Sequence, residues 1–143
     1  MGNVRNILQK KGNAGIFVSP ETNVFTALEL MFEKNIGALL IIEQEKLVGI
    51  FTERDYARKV ILKGKASKEI QVKEIMTENP TTVSSDSGIE ECMQLMTNKF
   101  IRHLPVIDDG KLIGIISIGD VVKYIIEEQK FIIGSLEHYI TGT

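Results

Sequence analysis

The sequence predicts an α/β fold made of two copies of a β-α-β-β-α unit, packed sheet to sheet around a pseudo-twofold axis. Three observations predict it. The chain matches itself at an offset of 65 positions, so that Ile16 to Tyr56 falls on Thr81 to Val121 without a gap, with 13 of 41 positions identical. The identities include polar and glycine positions as well as apolar ones: Ser19/Ser84, Gly49/Gly114 and Asp55/Asp120 beside Val18/Val83, Leu39/Leu104 and Met31/Met96. Each copy also switches from a helical apolar period to short apolar runs, the pattern of a helix followed by strands.

The elements follow in order. A lead-in recurs at a slightly different offset, Val4-Arg5-Asn6-Ile7-Leu8 against Val72-Lys73-Glu74-Ile75-Met76, which places a small insertion between Ile61 and Ile70. A short strand holds Val18 or Val83. Helix-start residues come next, Ser19-Pro20-Glu21-Thr22 or Ser84-Ser85-Asp86-Ser87, and Ser87 with Glu90 has capping-box spacing. Val24, Ala27, Leu28, Met31 and Phe32 recur at helical spacing, as do Ile89, Cys92, Met93 and Met96. Two strands joined by a polar turn follow, Ala38–Ile42 with Leu47–Phe51 and Leu104–Ile107 with Leu112–Ile116. A closing helix begins near Glu53 or Ile118. A unit of about 60 residues buries little surface alone, so the two are expected to share one cleft-bearing domain. The organisation is read as repeat one over 4–65, repeat two over 72–128 and a helical tail over 129–143.

Composition narrows the function. The chain has 143 residues, 43% apolar and 25% charged, with a formal net charge of −2, so its overall field favours neither nucleic acid nor an anionic membrane. No apolar run approaches the ~20 residues that span a bilayer, and the N-terminus lacks the apolar core of a secretory signal. Met1-Gly2 opens like a myristoylation signal, but Asn6 stands where that pattern needs Ser or Thr. The expectation is a cytoplasmic protein, or one of an organellar matrix after removal of a transit peptide. Cys92 is the single cysteine, which excludes an internal disulfide; its match to Ala27 makes it a buried core thiol.

The most informative local pattern occurs twice: Gly49-Ile50-Phe51-Thr52-Glu53-Arg54-Asp55 and Gly114-Ile115-Ile116-Ser117-Ile118-Gly119-Asp120. Each joins a strand end to a helix start, where free amides and a partial positive charge suit an anion. The hydroxyl of Thr52 or Ser117 can meet a phosphate or ribose oxygen, and Asp55 or Asp120 can hold the cis-diol of a ribose. Ser/Thr-x-x-Asp is equally the spacing of a capping box, so the pattern alone leaves both readings open.

These two Gly-x-x-[Thr/Ser]-x-x-Asp segments, with Arg102-His103-Leu104-Pro105-Val106 and the lead-ins ending at Leu8 and Met76-Thr77, resemble the CBS domain, named for cystathionine β-synthase. The likeness runs from about Val4 to about Ile126, and implies a tandem pair, or Bateman module. The chain is similar to the stand-alone CBS-pair proteins of bacteria and plant organelles. That resemblance implies an adenine nucleotide as regulatory ligand (AMP first; ATP, ADP, NAD or S-adenosylmethionine as alternatives), with no metal. It implies that Asp55 and Asp120 hold ribose hydroxyls and that Thr52 and Ser117 contact ribose or phosphate. It sets Gly15, Ile16 and Phe17 with Ile36, Gly37 and Ala38 at the Asp120 site, and Thr81, Thr82 and Val83 with Ile101, Arg102 and His103 at the Asp55 site. Arg102 has Gly37 as its counterpart and Arg54 has Gly119, so the two clefts are expected to differ.

The function expected is therefore a nucleotide-sensing module that acts on a separate regulated protein, and no nucleophile–base–orienter set points to an enzyme. The competing reading is a protein-interaction or nucleic-acid-binding module with vestigial sites, using the basic run Arg54, Arg58, Lys59, Lys63, Lys65 and Lys68. The apolar tail Phe131 to Ile140 and the usual association of CBS pairs through helices make a homodimer the expectation.

Overall fold

The computed structural model describes residues 2–12 and 15–141. Helix α1 spans Val4–Lys11, followed by β1 (Phe17–Val18), α2 (Val24–Lys34), β2 (Ala38–Glu43), β3 (Lys46–Thr52) and α3 (Glu53–Lys59). Short 3₁₀ turns fill the connector. The second unit holds β4 (Thr77–Glu78), α4 (Ile89–Lys99), β5 (His103–Asp108), β6 (Lys111–Ser117) and α5 (Ile118–Thr141).

One sheet has the order β1-β2-β3-β4, with β1 parallel to β2 and the other pairs antiparallel. The second is the β5–β6 hairpin, beside which Val83 bridges Val106 in parallel, as β1 does to β2. Internal repetition reaches the irregularities: the β2–β3 register shifts between Ile41 and Ile42, and the β5–β6 register shifts at the equivalent Val106 and Ile107. The hairpin turns match as well. Gln44 and Glu45 (φ 50 and 65) stand opposite Asp109 and Gly110 (φ 50 and 76). Asp-Gly suits a turn with two positive φ angles, whereas Gln-Glu holds the same geometry at a steric cost.

Two apolar clusters form the core. One gathers Val24, Ala27, Met31, Leu39, Ile41 and Phe51 with Val60, Ile70, Val72 and Ile75 of the connector. The other gathers Val83, Ile89, Cys92, Met96, Leu104, Val106, Ile116 and Val121 with Val4, Ile7 and Leu8 of α1. The two lead-ins have therefore exchanged places. Val4 and Arg5 donate backbone N–H to the carbonyls of Ser87 and Ser85; Val72 and Lys73 donate to those of Thr22 and Pro20. This exchange binds the two units into one domain. Burial pushes the Cys92 thiol up to about 11, as a core position demands.

Two local expectations need correction. The predicted Ser87–Glu90 box does not start α4, whose N-cap is Gly88 without a side-chain cap. The Ser87 hydroxyl instead accepts from the backbone N–H of Ser84 at 3.1 Å, closing the preceding turn. In the first unit the cap is Asn23, one residue beyond the Ser19–Thr22 stretch, accepting from Phe25 N–H at 2.8 Å.

Candidate functional site

The two strand-to-helix corners are both capping boxes. At the first, Thr52 N–H donates to Asp55 Oδ2 at 3.0 Å, and Asp55 N–H donates to Thr52 Oγ1 at 3.1 Å. At the second, Ser117 N–H donates to Asp120 Oδ2 at 2.8 Å, and Asp120 N–H donates to Ser117 Oγ at 3.1 Å. The next amide in each is also taken, Glu53 N–H by the Gly37 carbonyl and Ile118 N–H by that of Arg102. Capping thus accounts for the spacing at both corners.

Beyond the caps, the corners differ. Asp55 is buried, and its Oδ1 accepts from Thr77 Oγ1 and faces Lys59 Nζ, each at 3.0 Å. Oδ2 also accepts from the Thr52 hydroxyl at 3.1 Å, so both oxygens are engaged. Asp120 is a quarter exposed. Its Oδ2 carries Lys11 Nζ at 2.6 Å beside the Ser117 amide, while Oδ1 has no hydrogen-bond partner among the described residues. Burial alone would raise the Asp120 pKa; the hydrogen bond from Lys11, the Ser117 amide and the Lys11 charge together hold it below the ordinary carboxylate value.

The flanking residues sharpen the contrast. Arg54 donates its guanidinium N–H to the carbonyl of Phe100, the left-handed C-cap of α4, so it braces one unit against the other. At the equivalent position Gly119 leaves the start of α5 uncovered: a Cβ there would meet only Ser117 Oγ, at 3.6 Å. Gly15 approaches Leu40 and Ile115 closely, and Ala38 is buried at the start of β2, while Phe17 stands exposed on β1. Ile36 and Gly37 lead into β2, both half-buried.

His103 falls beside Gly37 and pairs with Ser117 in the sheet register. It therefore lies between the two corners, against Gly37, whose carbonyl accepts the Glu53 N–H of the first, and across the sheet from Ser117 of the second. Ala38 holds the matching place in the first unit, where it pairs with Thr52. Arg102 and Thr82 are exposed, and Ile101 is half-buried against the second core cluster. Lys11, Thr77 and Lys59 escaped the sequence reading of the site. Nothing local in the sequence marks Lys11, because only the exchange of lead-ins carries α1 to the start of α5.

Burial, then the Lys11 cation, push the His103 pKa below its ordinary 6.5, with Asp120 pulling the other way and Arg102 adding to the depression. The unfolded chain then binds a proton at about pH 6.5 that the folded chain refuses, so stability should fall as pH drops from there. Urea titrations between pH 7.5 and about 5.5 should show this decline, and His103→Gln should flatten it. Equal slopes for the two proteins would show that His103 is not held neutral.

Comparison with known proteins settles the family. The family model for the CBS domain matches the chain twice, over residues 13–62 and 72–127. The chain belongs to the CBS domain family. As a CBS pair it is 38% identical to the CBS domain-containing protein CBSX3, mitochondrial, of Arabidopsis thaliana, over 97% of this chain and 72% of that protein. It is 40% identical to an uncharacterized protein of Methanopyrus kandleri, of whose length it spans 53%. Among solved structures, a protein with CBS domains from Burkholderia ambifaria MC40-6 superposes with a TM-score of 0.85 at 48% identity, covering 89% of this chain and 96% of that one. A CBS domain pair solved in complex with 5-methylthioadenosine and S-adenosyl-L-methionine superposes at 0.74 with 29% identity, covering 86% and 98%. No described helix is long and apolar enough to cross a membrane.

Proposed function

We propose that this CBS pair is a sensor of adenine nucleotides whose principal site is the cleft at Asp120, with AMP as the ligand that fits best. The observation that carries this reading is the open Oδ1 of a partly exposed Asp120, at a helix start that Gly119 leaves uncovered. A ribose hydroxyl can donate to that oxygen. The exposed ring of Phe17 offers an apolar face to the base, and Lys11 offers a cation to a phosphate. The adenosyl ligands of the related CBS pair support the same ligand class. The four contacts on Asp55 favour a supporting role for the first corner, with weak nucleotide binding at most.

Occupancy at Asp120 acts on the first turn of α5, and α5 runs on to Thr141. Its distal half exposes Phe131, Ile132, Ile133, Leu136, Tyr139 and Ile140, of which Ile132, Leu136 and Tyr139 continue the stripe that buries Val121 in the core. A second copy of the chain covering that stripe makes a homodimer whose geometry a regulated protein can read. Mass spectrometry of small molecules released on denaturing the purified protein tests the ligand class. AMP or another adenine nucleotide should be recovered, or its addition should raise the melting temperature; neither effect at millimolar AMP would remove the proposal.

A further inference from the structure

Lys11 sits where a ligand of Asp120 would have to work. Its ammonium donates to Asp120 Oδ2 at 2.6 Å and to the Ile115 carbonyl at 2.8 Å, and its side chain is 31% exposed. It arrives from α1, which is fastened into the second core by Val4, Ile7 and Leu8, so the cation is delivered by a fixed element. Its field crosses the cleft, since it helps to keep His103 neutral. On the α1–α5 side of Asp120 lies a small cavity of about 110 Å³, where Lys10 and Lys123 join Lys11 against the carboxylates of Asp120 and Glu127.

We propose that Lys11 makes this cleft select phosphorylated over uncharged adenosine ligands, by holding Asp120 until a phosphate draws the ammonium away. A ribose cis-diol uses both carboxylate oxygens, and Oδ2 is already filled by Lys11 and the Ser117 amide. An uncharged adenosine that displaces Lys11 breaks a charge-assisted contact and offers the ammonium nothing in return. A nucleotide supplies that counter-charge itself, exchanging one charge-assisted contact for another. Lys11 is thus a specificity-determining residue and an internal competitor at once. The inference rests on the reading of Asp120 as a ribose-binding carboxylate.

The test is the ratio of affinities for AMP and for adenosine, measured by calorimetry on the whole chain and on Lys11→Met and Lys11→Arg. The wild type should prefer AMP at least tenfold. Lys11→Met should bring the ratio to about threefold or less, by weakening AMP and holding or improving adenosine. Lys11→Arg keeps the charge and should keep the preference, which also controls for a fault in folding. An unchanged ratio in Lys11→Met, with both ligands still bound, would overturn the role of Lys11 and leave the nucleotide site standing. Failure of the wild type to bind either ligand would overturn the site and the selector together.

Discussion

Asp55→Ala is expected to lower the melting temperature by on the order of 10 °C. The substitution deletes one side of the capping box, leaving the Thr52 amide without its acceptor, and takes the acceptor of the Thr77 hydroxyl that ties β4 to α3. A lost cap costs about 1 kcal/mol and each stranded, partly buried donor about 1 kcal/mol more. Lys59 adds little, because its side chain is 39% exposed and finds water. The sum is about 2–3 kcal/mol, and a domain of this size loses roughly 4 °C per kcal/mol. Asp55→Asn retains an acceptor in the same place and should cost about half as much. Thermal melts of the three proteins without ligand check this; a shift below about 3 °C for Asp55→Ala would mean that the network around it adds no stability.

Asp120→Ala should show the opposite balance. Its cap is partly solvated and its ion pair is screened, so the ligand-free protein should lose only about 1 kcal/mol. AMP binding should weaken by about 100-fold or more, since two hydrogen bonds to a charged acceptor are worth roughly 1.5–3 kcal/mol each. Asp120→Glu separates cap from clamp. Glutamate is the residue a capping box prefers at that helix position, so the melting temperature should hold. The extra methylene pushes the carboxylate about an ångström into the space of the sugar, beyond the ~0.5 Å a binding geometry tolerates, so AMP affinity should fall at least tenfold. Equilibrium dialysis with labelled AMP measures both. Unaltered affinity in Asp120→Glu would leave helix capping as the whole role of this aspartate.

The contrast between these residues marks how far the sequence could be read. The repeat predicted two β-α-β-β-α units because apolar period and glycine placement recur together, and the strands formed within a residue of the expected Ala38–Ile42 and Leu104–Ile107. The corners at Thr52 and Ser117 were equally visible, since a capping box is a contact between residues three apart. What the sequence could not carry is long-range. Thr77 on Asp55 and Lys11 on Asp120 join residues 22 and 109 positions apart. Both depend on lead-ins that pack on the opposite unit, which no local period encodes. His103 was legible from its place in the repeat, since it pairs with Ser117 as Ala38 pairs with Thr52. Ser87 failed as a cap for a local reason, because Ser84 competed for its hydroxyl.

The most direct test of the account is a calorimetric titration of AMP into the wild-type chain, Asp55→Asn and Asp120→Glu under one buffer condition. One strong site per chain is expected in the wild type, kept within about threefold in Asp55→Asn and weakened at least tenfold in Asp120→Glu. Two equal sites in the wild type, or a strong site lost in Asp55→Asn and kept in Asp120→Glu, would contradict it.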